Sequence, residues 1–407
     1  MTEGITKNSP AYRKAIIALF LGSIIAFGAE YCVQPIIPVL AESFGLVPAE
    51  ASLAVSAGTA GMAVAMVLLA FFSKRMPRKK TMAAAVIGAS LLMVAMAFTS
   101  SFYCILLFRF LQGILLAGFP VMAIAYVNEE FSGSIVGAVI GIYVAGTSVG
   151  GLLGRIILSS LTDWFSWQQS LLFMSGLYLL TGALFLLWLP PEQAAAAGGG
   201  KKESQTSAGS LWRLLTNFRL VLVYLIAFAL LGAFVCTYNF ISYVFLAPPY
   251  QLSQTVIGFI FLTYLVGTAA SAYMGKLSDR IGSGRVLMIG IFCMGVGTVI
   301  SLAMPLIFKI AGLAVFTYGF FGAHTAACGW AGRLGNGNKA QISALYMLFY
   351  YSGASVVGTA GGYFLKNYGW DGIVFFLLVV LGLAFFLSVL LLQGERANEK
   401  QLFRQNL

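Results

Sequence analysis

The sequence predicts an all-α polytopic membrane protein, with twelve transmembrane helices in two pseudo-symmetric six-helix bundles. Three observations predict it. The 407 residues are 60% hydrophobic and only 9% charged, with a mean hydropathy of +0.91, which is the composition of a chain whose main solvent is lipid. The apolar residues fall in runs of about 20, the length that crosses a hydrocarbon core about 30 Å thick. A charged stretch in the second half has an altered echo in the first half, so the chain reads as an internal duplication.

In order, the runs cover residues 15–40, 51–72, 81–99, 103–127, 135–158 and 169–189, then 219–244, 256–274, 286–304, 307–328, 341–364 and 372–392. The first follows Lys7, Arg13 and Lys14 as a signal peptide would, yet continues to about Leu40 without a small-residue cleavage site, so it reads as a retained helix. Residues 190–218 hold an Ala/Gly run and a Lys/Ser/Gln-rich run and read as a cytoplasmic linker. It separates an N-terminal bundle, 1–189, from a C-terminal bundle with a short tail, 219–407. Trp212 and Leu215 suit the linker's end to the membrane surface.

Twenty of the 24 Lys and Arg residues fall on the side of the two termini, against Lys309 and Lys366 on the other. That asymmetry predicts cytoplasmic termini. The net charge of +11 therefore orients helices and is no signal for nucleic acid. Five scattered cysteines and a single histidine support neither a disulfide framework nor a metal site, and no cofactor is expected.

The charged stretch is Gly275-x-x-x-Asp279-Arg280-x-Gly282-x-x-Arg285, and its echo runs from Ala70 through Lys74, Arg75, Pro77, Arg78 and Lys79 to Lys80. Glycine within 275–285 suits a helix that must end in a tight turn, and an acid among basic residues suits binding to neighbouring helix ends. Lys74 stands where the second copy has its acid, which makes Glu129 and Glu130 the partners to consider for Arg75 or Arg78. The plain alternative is a solvated positive-inside loop.

Glu30 is the sharpest signal, since a carboxylate within a membrane helix is costly and usually faces a cavity or a partner. By the helical rise it lies about 22 Å from the start of its helix, and Arg109 about 9 Å into the fourth helix from the opposite side. The two reach similar depth and are predicted to pair. Spacings of 7 and 4 put Ser23, Glu30 and Gln34 on one face, and Arg109 shares a face with Gln112. Access to water or to the arginine would then tip the protonation of Glu30; a static packing pair is the plain alternative. Tyr143, Thr147, Tyr264, Tyr318, Tyr346 and Tyr350 lie near mid-depth, and with Gln34 and Gln112 they are read as cavity-lining or packing residues. His324 belongs with them as a packing residue or a proton relay. Arg155 reads as snorkelling or as a contact to Asp163. Gly146-Thr-Ser148-Val-Gly150 matches a hydrolase elbow, but within a membrane helix it reads as close packing, and no enzyme is expected.

These residues resemble a known family. The 275–285 stretch looks like the loop motif of the major facilitator superfamily, with one extra residue before the last Arg. Arg109-x-x-Gln112-Gly113 resembles that family's helix 4 motif, and Gly146-Thr147-x-x-Gly150-Gly151 its antiporter motif, with Thr147 where proline is usual. Residues 31–40, 319–324 and 345–353 are similar to the YnfM-type inner-membrane drug and metabolite exporters of the superfamily. The resemblance spans residues 15–390. It implies helices 1 and 4 side by side along a central cavity and a monomer in the bilayer, with Arg75, Arg78, Glu129, Gly275, Asp279, Arg280 and Arg285 at a cytoplasmic gate. It also implies a secondary transporter that exchanges a small organic solute for protons, with Glu30 and Arg109 in the coupling. The competing readings are an importer of an anionic metabolite with Arg109 as clamp and a non-transporting membrane receptor.

Overall fold

The computed structural model describes residues 5–7, 9–73, 76–192, 208–334 and 339–405. Among them the regular structure is helical, apart from one isolated bridge between Ile5 and Phe131. Eleven helical stretches among the described residues are long and apolar enough to cross a membrane. The last, Gln341–Gly394, is 54 residues long and contains a non-helical Gly369 with φ 63°. A left-handed glycine there divides it into two crossings, which makes twelve spans.

The chain forms two compact units. One comprises residues 1–46, 53–205 and 252–261, the other 47–52, 206–251 and 262–407. The helices of the first part of the chain are α1 (Pro10–Tyr31), α2 (Ile37–Phe44), α3 (Pro48–Phe72), α4 (Arg78–Ala97), α5 (Phe102–Glu130), α6 (Val136–Leu161) and α7 (Trp167–Trp188). After them come α8 (Ala208–Thr216), α9 (Phe218–Leu246), α10 (Gln254–Ile260), α11 (Thr263–Ile281), α12 (Ser283–Ile300), α13 (Leu306–Leu334) and α14 (Lys339–Gln405).

Local chemistry sets the ends. Ser166 and Gln169 form a capping box on α7, Asn217 caps α9 and Ser253 caps α10, each satisfying backbone N–H groups left without helical partners. The first span is not one helix. Pro35 and Pro38 remove donors, so α1 ends at Tyr31 and a 3-10 turn, Gln34–Ile36, leads into α2.

Packing within each unit runs through glycine. A side chain at Gly150 would strike the Ile24 backbone, with Cα at 2.5 Å, and one at Gly154 would lie 2.7 Å from Gly28, so α6 lies flush on α1. In the other unit Gly353 lies against the Phe228 backbone, and Gly232 would place a Cβ 2.6 Å from that of Val357, joining α9 to α14. Small residues at such crossings let backbones approach where lipid gives no hydrophobic drive. Ser148 sits inside α6 with its hydroxyl donating to the Val144 carbonyl at 3.4 Å, so the hydrolase-like pattern has no strand-to-helix elbow.

Within the second-half stretch the tight turn falls at Gly282, at φ 90°, which ends α11 after Ile281 and leads into α12, while Gly275 lies inside α11.

Candidate functional site: a buried acid and arginine in the first unit

Glu30 lies in the last turn of α1, just before the proline break, and is 1% exposed. Arg109 of α5 is fully buried. Its Nη2 stands 3.6 Å from Glu30 Oε1, but the guanidinium spends its hydrogen bonds elsewhere. Nε donates to the Ala54 carbonyl at 2.8 Å and Nη1 to that of Ala29 at 3.0 Å, while Nη2 donates to the carbonyl of Glu30 itself. Gln112 accepts a further bond from Nη1 and donates to the Ala89 carbonyl at 3.1 Å. Arg109 thus pins α1, α3 and α5 together, and Gln112 adds α4.

The acid is the opposite case. Neither carboxyl oxygen of Glu30 has a hydrogen-bond partner among the described residues. An ionised carboxylate without hydrogen bonds in so dry a place is held only by the nearby positive charge. Protonation removes that burden at the expense of the attraction to Arg109. The arrangement can therefore host a proton whose presence changes the force between α1 and α5.

Room for the pair comes from Gly58 of α3. A Cβ there would fall 2.6 Å from Glu30 Oε1 and 2.8 Å from Arg109 Nη2. No sequence pattern singled out Gly58; its place opposite the pair is visible only once α3 is packed.

Two residues on this side fall differently from their expected positions. Gln34 is not on the α1 face of Glu30, because the chain has left the helix; its amide oxygen accepts from Arg155 Nε at 2.9 Å. Arg155 does not snorkel, being 3% exposed. It also donates to the Gly151 carbonyl, and its guanidinium lies 4.7 Å from the centre of the Tyr31 ring and 5.0 Å from that of Phe261. Asp163 instead accepts the backbone N–H groups of Gln254 and Thr255 at 2.9 and 2.8 Å. Partial burial raises its pKa, but the hydrogen bonds from Thr255, Gln254 and Ser253 outweigh this and hold it below the ordinary 3.8.

At the end of the unit where α3 leads into α4, Arg78 forms a bidentate pair with Glu129, Nη2 to Oε1 at 2.8 Å and Nε to Oε2 at 3.1 Å. It also donates to the carbonyls of Ser73 and Met76. Arg75 lies outside the described residues. Glu192, which the sequence did not mark, accepts the Lys79 backbone N–H at 2.7 Å. In the second unit the corresponding turn is tied by Ser278 and Ser283, their hydroxyls 2.6 Å apart, with Arg333 donating to Ser283. Asp279, Arg280 and Arg285 are exposed there, and Asp279 has no ion pair among the described residues.

Tyr143 stacks on Phe119 with ring centres 6.5 Å apart, and the Thr147 hydroxyl donates to the Val144 carbonyl at 2.7 Å. In the second unit His324, Tyr346, Tyr350 and Tyr264 join one aromatic ladder. His324 stacks on Tyr350 at 4.6 Å and its Nδ1 meets the Tyr346 hydroxyl at 3.0 Å. Phe320 links His324 to Phe234, and Phe234 meets Tyr264 at 5.2 Å. Tyr318 stands outside the ring contacts of this ladder. A hydroxyl cluster at its far end escaped sequence reasoning: Tyr238 lies 2.7 Å from both Thr263 and Thr317.

The family model of the Major Facilitator Superfamily matches residues 19–330 and 229–405. The MFS-type transporter YybF of Bacillus subtilis (strain 168) is 36% identical over 402 residues, covering 98% of this chain and 99% of its own. The inner membrane transport protein YnfM of Escherichia coli (strain K12) is 34% identical over 403 residues, covering 97% and 93%. In fold, the chain matches the crystal structure of a bacterial homologue of the human lysosomal transporter Spinster with a TM-score of 0.77 at 14% identity. That match covers 96% of this chain and 98% of the other.

Proposed function

This chain belongs to the Major Facilitator Superfamily of membrane transporters, and from that membership we propose that it carries a small organic solute out across the inner membrane in exchange for protons, by alternating access. The observation that carries the proton part is Glu30: a carboxyl group 1% exposed, without a hydrogen-bond partner among the described residues, 3.6 Å from an arginine. A proton arriving from outside releases Glu30 from Arg109 and accompanies loss of the solute; deprotonation inside restores the attraction and the binding state. Cytoplasmic termini follow from the distribution of Lys and Arg. Support for the outward direction is the likeness of Gly146–Gly151 to the antiporter motif.

Use of Arg109 as a clamp for an anionic solute finds no support in the geometry. The guanidinium is fully buried and four of its five N–H donors go to three backbone carbonyls and Gln112.

The test is transport in inverted vesicles with an imposed pH gradient, the solute first identified by a thermal-shift screen. Glu30→Gln is expected to abolish gradient-driven exchange while solute binding survives. Solute and protons moving in the same direction, or a Glu30→Gln protein that still exchanges under the gradient, overturns the proposal.

A further inference from the structure

A groove of about 450 Å³ runs between α3, α4 and α5 on the first unit. Its walls are apolar, and two of them, Leu68 and Phe72, are 48% and 55% exposed. Ala84 and Gly118 keep its floor low, and at its end stands Lys80. The other cations of this turn that the structure describes are engaged, Arg78 with Glu129 and Lys79 with the Leu189 carbonyl. Lys80 is exposed and has no ion pair or hydrogen bond among the described residues. The Thr81 hydroxyl is turned back to the Pro77 carbonyl at 2.8 Å, so Lys80 supplies the polar chemistry of the groove.

We propose that this groove is a binding site for an anionic phospholipid, with an acyl chain along Leu68, Phe72 and Gly118 and the phosphate at Lys80. Charge decides the occupant. From Ala65 to Phe72 the α3 wall extends about 10 Å, entirely apolar, and among the described residues that line the groove the one cation is Lys80, exposed at the level where α4 begins. An apolar tail joined to an anionic head matches that order, and a lysine near the membrane surface both lays its stem along hydrocarbon and attracts anionic lipid. A comparable groove on the second unit, lined by Phe292, Val296, Leu378 and Phe385, has no ionisable residue in its lining. It serves as the internal contrast, able to take a chain but not to select a head group.

The experiment uses the purified full-length protein in detergent, incubated with phosphatidylglycerol or phosphatidylcholine of identical chains, and counts retained lipid by native mass spectrometry. Wild type is expected to retain phosphatidylglycerol preferentially. Lys80→Gln is expected to lower that retention about fivefold and leave phosphatidylcholine unchanged. Ala84→Phe, which fills the groove, is expected to lose the retained phosphatidylglycerol. Glycerol phosphate without chains is expected not to compete. Melting temperatures of both variants show that they are folded; Lys80→Gln is a surface change and serves as the primary variant. Equal retention of both lipids by wild type, an undiminished preference in Lys80→Gln, or a dimer in place of bound lipid overturns the proposal.

Discussion

Adding one methyl group at Gly58 tests whether the Glu30–Arg109 contact sets the coupling. The new Cβ would lie 2.6 Å from Glu30 Oε1 and 2.8 Å from Arg109 Nη2, and each must retreat by about 0.6–0.8 Å to reach the ordinary contact distance of 3.4 Å. Arg109 is held by three backbone carbonyls and Gln112, and losing even one such charged hydrogen bond costs about 1.5–3 kcal/mol. Glu30, which makes no hydrogen bond, gives way first, and the contact of the new methyl with Arg109 is left as overpacking. Moving the pair from 3.6 Å to about 4.4 Å weakens its attraction by about 0.8 kcal/mol at an effective dielectric constant near 20. That is about half a pH unit in the profile of proton-driven exchange. Gly58→Ala should therefore shift the profile by that amount in vesicle flux assays, and overpacking should cost about 1–3 kcal/mol of stability. Gly61→Ala on the same helix is the control. Its Cβ would strike the Phe110 backbone and not the pair, so it should lower the melting temperature and leave the profile in place. If Gly58→Ala reproduces the wild-type profile, or if both variants shift it equally, the reasoning is wrong.

Glu129→Ala should cost about 1 kcal/mol or less, because the pair with Arg78 is part-exposed, at 13% and 39% for the two side chains. Arg78→Ala should cost more, since Ser73 and Met76 lose a donor as well; a double-mutant cycle in thermal melts separates the two effects. Asp163 has a depressed pKa, so its contribution to stability is present above its unfolded value and is lost as pH falls below that value through the folded one. Thermal melts of Asp163→Asn should then show a deficit at neutral pH that vanishes under strongly acidic conditions. Tyr238→Phe removes the bonds to Thr263 and Thr317 and should destabilise by about 1–3 kcal/mol. The pH profile of exchange should be unchanged; a shift comparable to that of Gly58→Ala would mean that the coupling is not local to Glu30.

Helix positions were legible because apolar length against the thickness of a bilayer is a strong, local signal, and Glu30 and Arg109 stood out as charges where lipid tolerates few. What could not be read was how donors are shared. Arg109 does stand beside the expected carboxylate, but a guanidinium has five N–H groups, and in a dry interior nearby carbonyls of α1 and α3 take its hydrogen bonds. Arg155 misled for a related reason. Its position in sequence suggested an interface residue, while the proline break after Tyr31 turns Gln34 toward it and gives it a buried acceptor. A helical wheel drawn through that break assigns Gln34 to the wrong face. Gly58 illustrates a third limit, since what it gives the pair is the space it leaves and glycine is frequent in this chain.

The two units share a packing scheme at an offset of 207 to 208 residues but have different chemistry at one place on it. Phe20 beside Gly146 becomes Phe228 beside Gly353, and Gly28 against Gly154 becomes Cys236 against Gly361. Ile24 over Gly150 becomes Gly232 under Val357, the bulk having changed sides while the contact remains. Continuing by 208, Glu30 falls on Tyr238 and Arg109 on Thr317, and those two are also in contact, as hydroxyls 2.7 Å apart. The fold therefore brings these positions together in either unit, whatever residues occupy them, and proximity alone is no evidence for a coupling role at Glu30 and Arg109. The two contacts differ in chemistry. Tyr238 and Thr317 form a hydrogen-bonded contact between hydroxyls, whereas Glu30 presents two carboxyl oxygens without hydrogen-bond partners among the described residues. Arg109 gives its hydrogen bonds to backbone carbonyls and Gln112 and leaves Glu30 only its charge, and on that division the proposed coupling rests.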